Sequence, residues 1–338
     1  MPPLKIRISF YLIILFNIIK GQVIYSAANE VNFKRYSIEE GLNGKNIFRV
    51  HQDKDGFLWI PSSIGLSRFD GLHFKNFTKK DGIPGSVVAN VIQDKNKVLW
   101  VGTNGGTVIY KDRKFIKFDS THLLSKSMIL CSLEDIDGTL WFGYGKGVMH
   151  INPDKIDDPL IKDYKQGDGP QNIIRSISKN NKGELIAGSE HGIFVLRKDS
   201  FLLYSPHLCK GFSFVTVNDS TEWACGWESD VSEFVNGKFK RMIALGSPIM
   251  GITKVSKDQI WLASWDKGVY KYDGNSFIHY DHEQGLEYGS FWACNSDNGG
   301  NVWFSSWGKG LFKFSGERFT KLTDKSGLVK IFVNHHLR

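Results

Sequence analysis

Cysteine is scarce in this chain. The 338 residues hold four, Cys131, Cys209, Cys225 and Cys294, spaced by 78, 16 and 69 residues. Those spacings fit no zinc pattern, and four thiols are too few for a disulfide scaffold. Buried thiols inside strands are the leading reading, with one Cys209–Cys225 bridge between neighbouring repeats left open. Long apolar runs are missing too: beyond residue 28 none approaches the roughly 18 residues that a membrane-spanning helix requires. There is no G-x-S-x-G elbow, glycine-rich phosphate loop or H-E-x-x-H pair, so the usual signatures of nucleophilic, nucleotide-dependent and zinc-dependent enzymes are absent. No nucleic-acid-binding motif occurs. Nothing in the pattern implies a cofactor or a metal.

What is present begins with an export signal. Lys5 and Arg7 precede an apolar run from Phe10 to Ile19, and Ser26-Ala27-Ala28 supplies small residues for a peptidase. That order reads as a signal peptide over residues 1–28, with an uncleaved N-terminal anchor as the alternative. Removing Lys5, Arg7 and Lys20 lowers the formal charge from +8 to +5. A mildly basic exported chain suits anionic glycans or a membrane surface, and export argues against nucleic acid.

The body of the chain repeats. Trp59, Trp100, Trp141, Trp223, Trp261 and Trp303 recur in similar surroundings, and Ile186 stands in the fourth position; successive intervals are 41, 41, 45, 37, 38 and 42 residues. Each unit reads as four short strands: an apolar segment such as Ile129–Leu133, an Asp/Asn/Gly turn, a strand through the Trp, an alternating strand such as Gly65–Phe69, and, after a pair such as Asp70-Gly71, a last strand such as Phe74–Phe77. Seven four-stranded units of about 40 residues predict an all-β, seven-bladed β-propeller of antiparallel blades. The units fall at about 41–80, 81–121, 122–165, 166–208, 209–245, 246–283 and 284–323 within a propeller spanning 29–323. A blade alone leaves both faces uncovered, so the repeat Trp is expected in the cores between blades. Phe33–Ser37 looks like a surplus fourth strand, added at the seam or displaced to an edge, because Phe319–Thr323 supplies the last unit's own. Residues 324–338 read as the start of a truncated eighth repeat.

The unit resembles the two-component-regulator propeller repeat. Gly41-Leu42, Asp53 to Gly56, Leu58-Trp59-Ile60, Gly65-Leu66 and Phe69-Asp70-Gly71 match its pattern, and Leu99-Trp100-Val101-Gly102-Thr103 matches it best. Units four and five are degenerate, with Ile186 for the Trp and Cys225 where Gly102 stands. The resemblance, over about residues 33–334, implies the periplasmic sensor half of a Bacteroidetes histidine kinase or hybrid two-component protein, for which glycan fragments are a common stimulus. No kinase, receiver or DNA-binding domain accompanies the repeats, and His335 and His336 sit in no helical setting suited to phosphotransfer. The chain is therefore expected to be either the front piece of a longer sensor or a form without output, reaching a membrane only through a downstream region or an uncleaved signal.

Candidate site residues follow from the repeat. The loops between second and third strands share one propeller face with the connections between blades. Four residues past the repeat position they carry Ser63, Asn104, Gly145 and Glu190, then Trp227, Trp265 and Trp307. Three tryptophans on adjacent blades predict an aromatic arc whose faces stack on sugar rings while indole N–H groups meet hydroxyls. Phe291 and Trp292 are expected to extend it inward. Lys146, His191, Lys267 and Lys309, just before the glycine opening the third strand, are candidate partners for a carboxylate or sulfate on a saccharide. The competing reading packs the tryptophans between blades or against a second propeller or dimer partner. The Asp turns read as caps, not metal loops. The leading function is a non-enzymatic, extracytoplasmic ligand sensor. A polysaccharide lyase or glycosidase, using carboxylates such as Glu190, Glu228, Asp230 or Asp266, and a protein-binding scaffold are the alternatives.

Overall fold

The computed structural model describes residues 30–165, 173–204, 211–227, 229–287 and 289–318, and two short strands, Ile19–Lys20 and Val23–Tyr25. Seven antiparallel sheets form the blades of a propeller. In blades 1 to 6 the four strands follow one another in sequence, within residues 51–77, 88–117, 131–165, 174–203, 213–244 and 249–280. Ile19–Lys20 and Val23–Tyr25 lie within the stretch read as signal peptide; they run parallel along the outer strands of blades 5 and 6.

Blade 7 breaks the sequential rule. Its first three strands are Ser290–Ser296, Val302–Trp307 and Leu311–Arg318, and its outermost strand is Glu30–Tyr36. The pairing is antiparallel, with Phe33 opposite Phe314 and Tyr36 opposite Leu311. The segment read as surplus is therefore the fourth strand of the last blade, and it closes the ring. Its aromatic side chains account for that choice. Phe33 meets Tyr280, Phe304 and Phe314 at centroid distances of 5.9, 6.1 and 5.4 Å, while Tyr36 is buried against Phe69, Phe74 and Trp303. Phe319–Thr323 and the start of an eighth repeat lie outside the described residues, as does Cys209.

The cores sit between blades. Seven apolar clusters each join one blade to the next, and each includes the repeat residue of the earlier blade, Trp59, Trp100, Trp141, Ile186, Trp223, Trp261 or Trp303. Trp303 reaches Leu42, Ile47 and Leu58 of blade 1, which completes the circle. Two positions past the repeat residue, Gly102 has no room for a side chain: a Cβ there would lie 2.3 Å from the Ile129 carbonyl of the next blade.

The Asp turns tie local structure to this packing. Asp53 Oδ1 accepts the N–H groups of Asp55 and Phe57, and its Oδ2 accepts the Trp59 indole N–H at 2.7 Å. The same Asp–Trp bond recurs in Asp94–Trp100, Asp135–Trp141 and Asp297–Trp303. One carboxylate thus caps the turn and orients the interblade ring. Among the described residues, no group of three or more His, Cys, Asp and Glu side chains is placed to hold a metal ion, and no helix is long and apolar enough to cross a membrane.

Candidate functional site

The site is built at the mouth of the central channel, where second-to-third-strand loops meet the starts of the first strands. In blade 7, Ser306 Oγ donates to the Gly310 carbonyl at 2.8 Å, which turns the chain so that Trp307 projects from the loop. Gly310 has φ +88°, and a Cβ there would strike the Tyr36 carbonyl at 2.3 Å, so glycine is required. The backbone N–H groups of Gly308 and Gly310 both donate to the Lys45 carbonyl of blade 1. In blade 6 the Trp265 N–H donates to the Pro248 carbonyl at 3.0 Å, fixing the loop that carries its ring.

Trp292 reaches the mouth by another route. Opposite the second strand of blade 7, Phe291 pairs with Ser306 and Ala293 with Ser305, which leaves Trp292 as the extra residue of a β-bulge. The bulge separates two neighbours that simple alternation would have treated as a pair. Phe291 turns fully into the core between blades 6 and 7, against Phe304 and Phe312, whereas Trp292 turns into the channel. Phe291 therefore does not extend the aromatic surface.

Four tryptophans make a continuous chain of ring contacts. Trp227 meets Trp265 at 4.7 Å, Trp265 meets Trp292 at 6.1 Å, and Trp292 meets Trp307 at 6.1 Å. Phe48 of blade 1 extends the chain beyond Trp307 at 6.0 Å, and Phe212 of blade 5 meets Trp292 at 6.3 Å. Trp227 and Trp307 are 41% and 44% exposed, against 0–6% for the six repeat tryptophans. These rings offer their surface to solvent at one rim of the channel.

The cationic candidates divide into two groups. Lys267 and Lys309 lie on the loops that carry Trp265 and Trp307. The Lys309 backbone is tied down: its N–H donates to Ser306 Oγ and its carbonyl accepts from Arg35 Nε. Lys146 and His191 are exposed on blades 3 and 4, away from the arc. Of the carboxylates, Glu190 pairs with Arg175 at 3.1 Å, and Asp266 accepts from the Ser247 hydroxyl. The side chains of Glu228 and Asp230 lie outside the described residues. Nor does a thiolate nucleophile arise in the channel: Cys294 donates to the Trp261 carbonyl, and burial pushes its pKa up.

Below the rim the channel holds a cavity of about 200 Å³. Its lining includes Phe48, Ala89, Leu130, Arg175, Phe212, Met250 and Trp292, all eleven residues ahead of the repeat Trp or Ile186. Register shifts like that at Trp292 place Ala89, Arg175 and Met250 there too. The sequence does not mark this ring out, because only its spacing from the Trp, not its chemistry, repeats. Arg175 is its one charged member. Arg49 of blade 1 also lines the cavity and donates through Nη2 to the Arg175 carbonyl at 2.7 Å, spanning the channel.

Comparison with known proteins agrees with this architecture. Residues 82–105 match the model described as two component regulator propeller. No curated protein matches the sequence. Among solved structures, the chain is similar to the extracellular domain assigned to a hybrid two component system, BT3049, of B. thetaiotaomicron, with TM-score 0.71 and 22% identity over 84% of this chain and 42% of that one. A second such domain, BT4673 of the same organism, gives TM-score 0.69 and 18% identity over 88% and 40%. The chain thus spans about two-fifths of those domains. It is also similar in fold to virginiamycin B lyase from Staphylococcus aureus, with TM-score 0.67 and 12% identity over 84% of this chain and 99% of that one.

Proposed function

We infer that this chain is an extracytoplasmic ligand-sensing propeller of a two-component system, and that it binds glycan fragments over its tryptophan arc. The observation that carries this reading is the unbroken contact chain Trp227–Trp265–Trp292–Trp307 with its two ends exposed to solvent. Aromatic faces held at a channel mouth stack on the apolar faces of sugar rings, and indole N–H groups donate to hydroxyls. The two component regulator propeller match and the likeness in fold to extracellular sensor domains support the signalling part. Signalling then requires that ligand favour one of two arrangements of the propeller and its neighbours.

The test is a titration of the purified protein with a panel of oligosaccharides, read by tryptophan fluorescence and thermal shift. A binding glycan is expected to raise the unfolding temperature without being consumed. Trp265→Ala and Trp307→Ala should each weaken binding about tenfold, since aromatic stacking contributes roughly 0.5–1.5 kcal/mol beyond area burial. Wild-type affinity in both folded variants would remove the arc from the site, and released product would make the protein an enzyme instead.

A further inference from the structure

Two arginines face a cavity whose lining, among the described residues, has no acidic side chain. Arg49 and Arg175 come from blades 1 and 4, on opposite sides of the channel, and every other side chain lining the cavity is uncharged. The charge of Arg175 is only partly answered. Its Nη2 pairs with Glu190 at the rim at 3.1 Å, and its guanidinium lies 5.7 Å from the Phe212 ring, yet its Nε is buried with no hydrogen-bond partner. Arg49 uses one N–H on the Arg175 carbonyl. A guanidinium carries five donors in a fixed fork suited to carboxylate and sulfate oxygens. A buried donor without a partner costs about 1–3 kcal/mol, so the protein itself does not fully satisfy the Arg175 guanidinium.

We propose that the channel is an anion seat, and that the ligand is an acidic saccharide whose carboxylate or sulfate group sits on Arg175 and Arg49 while a neighbouring ring stacks on the tryptophan arc. Trp292 connects the two parts: it lines the cavity beside the arginines and touches both Trp265 and Trp307. The inference rests on the glycan-binding reading above and adds the ligand's chemical class. It also moves the principal cationic contact from the loop lysines to the channel arginines. There, low dielectric and bidentate geometry strengthen a charge-assisted bond that water weakens at the rim.

The experiment compares three sets of di- and trisaccharides of matched linkage, neutral hexoses, uronates and sulfated hexoses, by calorimetric titration of the whole chain at low and high salt. At least one acidic set is expected to bind ten times or more tighter than its neutral counterpart and to weaken as salt rises. Arg175→Gln and Arg49→Gln should each remove most of that preference while the unfolding temperature stays near wild type, and Lys267→Gln should change it less than threefold. Which acidic set binds identifies the anionic group. Equal binding of neutral and acidic sets, still dependent on Trp265, would overturn the anion seat and leave the arc reading standing. Undiminished preference in the folded double variant would also overturn it. Binding of no set at millimolar concentration would overturn both.

Discussion

Asp94 shows how much a single side chain decides here. It is fully buried; Oδ1 accepts the N–H groups of Asn96 and Val98, and Oδ2 the Trp100 indole N–H at 2.8 Å. Asp94→Ala strands three donors, so a loss of about 3 kcal/mol is expected, read as a lower urea midpoint. The blade 6 turn has no such carboxylate, and Trp261 Nε1 is buried without a partner. Trp261→Phe should therefore cost less than Trp100→Phe, by about 1.5–3 kcal/mol, the worth of a hydrogen bond to a charged group. Equal costs in the two variants would show that the Asp–indole bond contributes nothing beyond ring packing. The Asp turn was visible in the sequence as a cap; its bond to the Trp six residues on was not, because periodicity says nothing of which atoms meet.

At the scale of elements, blades 1 and 2 are joined by a bond sensitive to pH. His51, on the first strand of blade 1, accepts the Gln93 N–H through Nε2 at 3.0 Å, and burial lowers its pKa to about 4 against the opposing pull of Asp53. The unfolded imidazole titrates near 6.5. Between those values the unfolded state holds the proton and the folded state does not, so stability is full above pH 6.5 and falls as pH drops towards 4. The loss between pH 7.5 and 4.5 should be about 2.5 kcal/mol at this site. His51→Gln keeps an acceptor without the titration, and urea unfolding at the two pH values should show a correspondingly smaller difference. Below pH 4 a second loss follows: Asp297 is held under its ordinary pKa, its burial being outweighed by the Trp303 indole, Asn301 and the Gly299 N–H. The stability it adds disappears as pH falls through that lowered value.

For the whole molecule, closure is the decisive event. Glu30–Tyr36 covers the edge of Leu311–Arg318, and Arg35 clasps the seam: both Glu287 oxygens lie 2.8 Å from its Nη1, and its Nε donates to the Lys309 carbonyl. Tyr36→Ala is expected to cost about 3–5 kcal/mol by opening the core between blades 7 and 1. Leu72, 82% exposed, should tolerate the same change. Hydrogen exchange offers a sharper readout: residues 290–318 should lose protection in Tyr36→Ala before blades 2 to 4 do. Uniform loss around the ring would mean that the seam is no weaker than the other interfaces.

Fold class, blade number and the identity of the interblade tryptophans were legible in the sequence, because a strand's alternation, its turn residues and a 40-residue period are local properties repeated seven times. The common offset of Trp227, Trp265 and Trp307 was legible for the same reason. What the tertiary structure alone decided is non-local. A bulge sends Trp292 to the channel and Phe291 to the core, although the two are adjacent in sequence. The chain's first described long strand completes its last blade, because aromatic rings at Phe33 and Tyr36 fill cores some 270 residues away. Arg49 and Arg175 meet across the channel because a ring of seven blades sets the first and fourth opposite each other, a relation that no linear spacing records.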